Sequence, residues 1–302
     1  MRTRFSLCLL SFGLVLVSST GCTNVVAGVL AGGQGPSVFS SDDDPELVRD
    51  AVPFGLKLQE QVLQDAPNHK GLLAALAKGY TQYAYGLVYP DADVAGESVA
   101  HAKEVRARVK KLLLRARAYG FRGLDVDHPG FEEALRKDRE GTLAKIGKDD
   151  LPLLFWTGAA WGAATSVAKD DPMLLGDLGL VTAIMNRAVA IDSCFDSGSI
   201  HEVLMSLDVS VPESMGGSVD KGREERDKVA SCGGAGKIGP SVSWAASVSV
   251  RKQDKAEFEK LLKDAIAFDV EQAPNFKLPN VLAQRRAQRL LEKEDDLFLG
   301  DD

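Results

Sequence analysis

Apolar residues recur along this chain at spacings of three and four and almost nowhere at two, so the pattern predicts helices throughout. The first runs from Pro45 to about Gln64, with Leu47, Val48, Ala51, Phe54, Leu58 and Val62 on one stripe expected to face a core. Asp44-Pro45 and Asp171-Pro172 mark helix starts: Asp caps the free amides of a first turn, and the fixed φ of Pro suits it. Further helices are expected over Lys70 to Val88, Val99 to Tyr119, Leu153 to Ala168, Met173 to Ile191, Ile200 to Leu207, Val219 to Ala230, Ser241 to Val250 and Lys255 to Phe268. A last one, near Leu278 to Leu291, would cap the array. The stretches Pro212 to Gly217 and Cys232 to Pro240, rich in Gly and Ser, read as loops. Leu297-Phe298-Leu299 interrupts an acidic tail and is expected to pin it to the body.

Three of these helices end alike. Leu114-Arg115-Ala116-Arg117-Ala118-Tyr119-Gly120 returns as Asn186-Arg187-Ala188-Val189-Ala190-Ile191-Asp192, and again as Lys263-Asp264-Ala265-Ile266-Ala267-Phe268-Asp269. A helix with bulky aromatics precedes each copy, carrying Tyr80 and Tyr83, then Trp156 and Trp161, then Trp244. Small residues on one helix and aromatics on its partner suit a stacked, tetratricopeptide-like array, an α-solenoid. The intervals are irregular, 72 residues from Ala116 to Ala188 and 77 from Ala188 to Ala265, about twice a standard repeat, so additional helices or loops intervene. Residues 42–302 are expected to form a single all-α domain.

The N-terminus reads as an export signal. Arg2 and Arg4 precede an apolar stretch from Phe5 to Val17 and then Ser18-Ser19-Thr20-Gly21-Cys22. Small residues before a Cys suit a lipoprotein signal over residues 1–21, with the Cys22 thiol accepting the lipid; Ser19 stands where Leu is commonest. The apolar stretch is short of the roughly 20 residues that span a bilayer. Residues 22–41 read as a flexible tether with an r.m.s. reach of roughly 25 Å. Thr23, rather than Asp, favours the outer over the inner membrane.

Removing the signal takes Arg2 and Arg4, leaving 34 Lys plus Arg against 43 Asp plus Glu, a net charge of about −9, which disfavours nucleic acid and anionic bilayers as partners. Cys194 and Cys232 then remain; in an oxidising envelope they either pair or stay as two buried thiols.

Candidate chemistry is sparse. The histidines at 69, 101, 128 and 201 show no metal-ligand spacing, and His201 reads as a solvated or capping residue. Glu97-Ser98 and Glu213-Ser214 each spell the dipeptide of lytic transglycosylases without the Gly- and Gln-containing segments that complete such a site. No GxxxxGK or strand-linked GxGxxG occurs. The sequence therefore predicts no enzyme, no cofactor and no metal. Tyr80, Tyr83 and Tyr85 cannot all face one way, so one side of that helix must meet solvent, a partner or a cavity; Trp156 and Trp161, among small residues, pose the same question. The basic face of the helix ending at Tyr119 reads as solvated or as a dock for an acidic partner.

Residues 37–51, the Gly79 to Val88 tyrosine helix, Trp156 to Asp171 and Ser199-Ile200-His201-Glu202 together resemble the TatT family, the T components associated with tripartite ATP-independent periplasmic (TRAP) transporters. The resemblance implies a periplasm-facing lipoprotein with helical repeats, a trimer, that docks the solute-binding P component and holds a hydrophobic ligand in a cavity. Matched to the family's aromatic helices, Tyr80, Tyr83, Tyr85, Trp156 and Trp161 become candidate cavity lining. The segment from Pro212 to Pro240, with Cys232, departs from the family. The competing reading is a helical-repeat scaffold of an outer-membrane assembly with no ligand.

Overall fold

Two helices from opposite ends of the chain meet: Arg285 forms a two-pronged ion pair with Glu46, and the Leu278 amide donates to the Ser40 carbonyl at 3.2 Å. The computed structural model describes residues 38–93, 98–210 and 216–299, together with residues 27, 28, 30, 32 and 213. Among these residues the regular structure is helical, with no strand.

Helix α1 (Pro45–Asp65) starts where Asp44 accepts the Leu47 amide. Helix α2 (Lys70–Gln82) runs on through a π-helical turn, Tyr83–Val88, and a 3₁₀ turn, Tyr89–Asp93. Helix α3 (Val99–Leu124) returns along α2, capped by Ser98. Two short helices, α4 (Phe131–Lys137) and α5 (Arg139–Ala144), fill the first interval between repeats. Helix α6 (Leu151–Val167) is buried nearly all round. After α7 (Pro172–Gly176), capped by Asp171, comes α8 (Leu178–Ile191). The expected extra helices of the second interval are α9 (Phe195–Ser210) and α10 (Val219–Val229). Helix α11 (Gly239–Trp244) continues through a π-helical turn, Ala245–Ser249, into α12 (Val250–Lys252). The chain ends with α13 (Lys255–Ala267), α14 (Lys277–Glu292) and α15 (Glu294–Leu297).

The matched alanines are buried alike: Ala116, Ala188 and Ala265 on α3, α8 and α13. So are Tyr80, Trp161 and Trp244 on the preceding helices. Close approach depends on glycine at two crossings. A Cβ on Gly120 would fall 2.0 Å from Thr157 Oγ1, and one on Gly158 would fall 2.3 Å from Met185 Cε. One large core runs from α1 to α9; a second unites α11, α13 and α14, and Met205, Val209, Trp244 and Val248 bridge them. Complete burial of side chains such as Trp161, Phe155 and Phe258 contributes about 1.5–3 kcal/mol each.

Several expectations change. On α1 the buried positions are Val48, Leu56 and Leu63, whereas Leu47, Phe54 and Leu58 of the expected core stripe face outward. Val48 and Val62 of the expected stripe do turn inward, and packing against α2 adds Val52, Leu56 and Leu63 to them, which leaves the rest of the stripe outside. Helix α14 spans from α13 to α1 rather than covering a free end, and Leu278 and Leu282 join the main core. Within the span expected as tether, Ala27 is fully buried, Leu30 packs on the core, and the Leu30 carbonyl accepts from Gln59 Nε2 at 2.9 Å. Cys22 and the signal lie outside the described residues, as does most of the loop after α9. The expected loop Cys232 to Pro240 is partly helical, because a π-helical turn, Ala230–Gly234, extends α10. Phe298 does hold the tail, its ring 5.0 Å from Phe258.

Candidate functional site

Glu60 on α1, Tyr80 on α2 and Tyr119 on α3 converge because each lies on the face its helix turns toward the other two. Glu60 Oε1 accepts from both tyrosine hydroxyls at 2.7 Å, and Lys57 donates to Oε2. Arg115 Nη1 donates to the Tyr80 hydroxyl at 3.3 Å while its guanidinium lies 5.3 Å from the ring centre. The Tyr80 and Tyr119 rings stack at 6.0 Å. Burial opposes the charge on Glu60, yet hydrogen bonds from Lys57, Tyr119 and Tyr80 outweigh it and hold the carboxyl below its usual range. Burial, followed by the Glu60 bond, pushes both phenols up, so they act as donors and not as bases.

The five candidate aromatics meet different neighbours. Tyr80 belongs to the Glu60 cluster. Tyr83 is buried, its hydroxyl 3.5 Å from Arg108 Nη2. Tyr85, 41% exposed, stacks on Tyr89 at 5.4 Å. Trp156 packs against Phe155 at 4.8 Å beneath the Lys78 ammonium. Trp161 is fully buried between the guanidiniums of Arg117, at 4.8 Å, and Arg136, at 5.4 Å, and its indole N–H has no hydrogen-bond partner. Trp244 likewise has two guanidiniums near its ring, Arg223 at 5.2 Å and Arg226 at 4.6 Å. Cation–aromatic stacking of this kind is worth about 0.5–2 kcal/mol a pair. Two open clefts lie elsewhere. One of about 500 Å³ is bordered by Ala66 to Lys70 and Val126, the other, about 260 Å³, by Lys148, Leu151 and Phe195.

The basic face of α3 is divided: Lys103, Arg108, Lys111 and Arg115 are exposed, as the solvated reading expects, whereas part of the face also serves internal contacts. Besides Arg115 and Arg117, Lys110 pairs with Asp171 at 2.6 Å. Burial makes Arg117 less basic than usual. His201 also departs from expectation: it is buried between α9 and α10, its Nδ1 2.5 Å from Glu225 Oε2. The spacing Ile200, His201, Leu204, Met205 would have revealed that inward face. Lys70 bridges Asp127, at 2.5 Å, and Asp150, at 2.6 Å, and His128 Nε2 reaches the second Asp150 oxygen at 3.0 Å. Lys70 and His128 together overcome burial to keep the Asp150 carboxyl below its usual range.

The sulfurs of Cys194 and Cys232 lie at bonding distance, with 4.8 Å between their Cα atoms. They flank three consecutive left-handed residues, Asp196 (φ 51°), Ser197 (φ 54°) and Gly198 (φ 79°). Gly198 is required there, since a Cβ would meet Val229 Cα at 3.0 Å. Lys237 holds the turn from the other side, donating to the Asp196 carbonyl, Ser199 Oγ and Glu202.

Of the two Glu-Ser dipeptides, Ser98 serves as a helix cap, and Glu97 and Ser214 lie outside the described residues. Among the described residues no cluster of His, Cys, Asp and Glu could hold a metal, and no helix is long and apolar enough to cross a membrane. What the arrangement offers is positioned donors, cation–aromatic stacks and surface, which suit binding.

Residues 41–298, from the turn before α1 to Phe298, match the family described as TRAP transporter T-component. This chain belongs to that family. A Treponema pallidum (strain Nichols) protein described as uncharacterized is 28% identical over 267 residues, covering 87% of this chain and 83% of its own. Membership in the T-component family gives the chain an accessory role in TRAP transport, in association with other TRAP components and with the cell envelope. It is a transport-accessory family, not one known for catalysis.

Proposed function

We propose that the chain is a lipid-anchored T component that faces the periplasm and docks the solute-binding P component. The family match over residues 41–298 carries this reading. The Ser18 to Cys22 segment supports lipidation at Cys22, and Thr23 supports the outer membrane. In that oxidising compartment Cys194 and Cys232 form a disulfide. The helix pairs α2/α3, α6/α8 and α11/α13 act as tetratricopeptide-like units, and the protomer assembles as a trimer. A hydrophobic ligand is held in a cavity for which Tyr80, Tyr83, Tyr85, Trp156 and Trp161 are the candidate lining.

A second reading, a scaffold with no ligand, is favoured by one observation: Trp161 and Tyr80 already stack on Arg117, Arg136 and Arg115. The test is to isolate the detergent-solubilised full chain from its own source and weigh co-eluting species by native mass spectrometry. A solute-binding protein in fixed stoichiometry, with lipid-like mass, supports the first reading. The same partner without added mass removes the ligand, and recovery of outer-membrane assembly factors alone overturns transport in favour of the scaffold.

A further inference from the structure

Helix α1 carries two apolar faces, and the folded body uses one. Val48, Leu56 and Leu63 are buried, and Val52 and Val62 pack on the same core. Leu47, Ala51, Phe54 and Leu58 succeed one another at helical spacing on the opposite side. Leu47 is 59% exposed, Phe54 75% and Leu58 41%, and Val38 and Phe39 are exposed in the turn that leads into the helix. A row of large apolar side chains with this exposure is a contact surface.

What covers it follows from where the chain enters. Ala27 is fully buried, and the Leu30 carbonyl is bonded to Gln59, which is half-buried and sits beside the stripe, next to Leu58 in sequence. Cys22 stands five residues before Ala27 in the sequence. Even fully extended, five residues span at most about 18 Å. On the reading that Cys22 bears the lipid, which this inference requires, the bilayer surface therefore lies within that distance of the body.

We propose that the outward face of α1 rests in the headgroup boundary of the membrane that holds the anchor, with Phe54 inserted. The cations nearby are engaged, Arg49 by Asp91 and Lys57 by Glu60, and Asp50 borders the stripe. The contact is thus apolar and independent of anionic lipid. It orients the body as well as retaining it, since α1 lies along the surface.

The test uses the full acylated chain with Phe54→Cys, labelled with a polarity-sensitive fluorophore, in vesicles of phosphatidylcholine and phosphatidylethanolamine in equal parts. Lys137→Cys on α4, an exposed position away from the stripe, is the control. The expected result is a blue-shifted emission at 54 that a lipid-borne nitroxide quenches, an aqueous emission at 137, and no change when phosphatidylglycerol is added. Mass spectrometry of the same sample reads the acyl adduct at Cys22. An adduct with an aqueous label at 54 overturns the docking and leaves the anchor standing. A blue shift that lipid does not quench means that protein covers the face, and overturns it too. Absence of the adduct removes the anchor reading and the docking with it.

Discussion

Replacing Gly120 by Ala adds one carbon where α3 crosses α6. That carbon would fall 2.0 Å from Thr157 Oγ1, 2.9 Å from Thr157 Cβ and 3.1 Å from Thr157 Cα. The hydroxyl is not free to swing away, because it donates to the Leu153 carbonyl at 2.6 Å within a fully buried side chain. The helices must part, and overpacking of this kind costs about 1–3 kcal/mol. Ala gains about 0.5–1 kcal/mol over Gly inside a helix, so the net loss is about 1 kcal/mol at the middle of both ranges and about 2.5 kcal/mol at most. Gly55, inside α1, has nothing within 4 Å of its Cβ position, so Gly55→Ala shows the gain alone. Urea unfolding followed by helical circular dichroism should thus place the two variants on opposite sides of the parent. Adding Thr157→Ala to Gly120→Ala removes the nearest atom but leaves the 2.9 Å contact, so it restores part of the loss. The packing argument is refuted if Gly120→Ala is as stable as Gly55→Ala, or if the two changes at 120 and 157 simply add.

Stability should fall as pH drops from about 5 to 3, because Glu60 and Asp150 have folded pKa values below their unfolded ones and their contribution is lost as each protonates. Glu60→Gln should cost about 1–2 kcal/mol at pH 7 and less at pH 3, where the carboxyl begins to protonate; a gap equal at both pH values would contradict this. Asp208 has the opposite sign, since burial and the Glu225 charge raise its pKa, so Asp208→Asn should stabilise the protein at pH 7, read by the same unfolding assay. If Cys194 and Cys232 are joined, reduction opens a link across a separation of 38 residues and lowers stability by about 4 kcal/mol, with the linked peptides visible in a non-reduced digest. Trp244→Phe should cost about 1 kcal/mol more than Trp161→Phe, because only the Trp244 indole has a partner, Glu257 at 3.4 Å; equal thermal shifts would dismiss that bond.

Periodicity and caps report which residues turn away from water, and here they gave the helices and the buried alanines 116, 188 and 265. They do not report what a face packs against. The outward stripe of α1 and its inward one have similar composition, and only the position of α2 distinguishes them. The charges on α3 look solvated in sequence because their partners, Glu60 and Asp171, lie 55 and 61 positions from Arg115 and Lys110. The tyrosine helix was half legible: the conflict among Tyr80, Tyr83 and Tyr85 showed in the spacing. Its resolution, a π-helical turn that starts at Tyr83 and leaves Tyr85 outward, depends on tertiary packing. Helices α4 and α5 are seven and six residues long, too short for an apolar period to emerge.

The return of α14 to α1 also bears on how the molecule carries load. An open stack of helical pairs can fray from either end, one unit at a time. Here the entering strand of chain is clasped by the departing one, through Ser40 with Leu278 and Glu46 with Arg285, backed by Leu278 and Leu282 in the main core. A pull applied at the N-terminal side of the described residues loads these links together with the Gln59 bond to Leu30, so the helical body does not come apart from α1 until they break. Extension by force should then appear as a few large steps rather than a ladder of small ones.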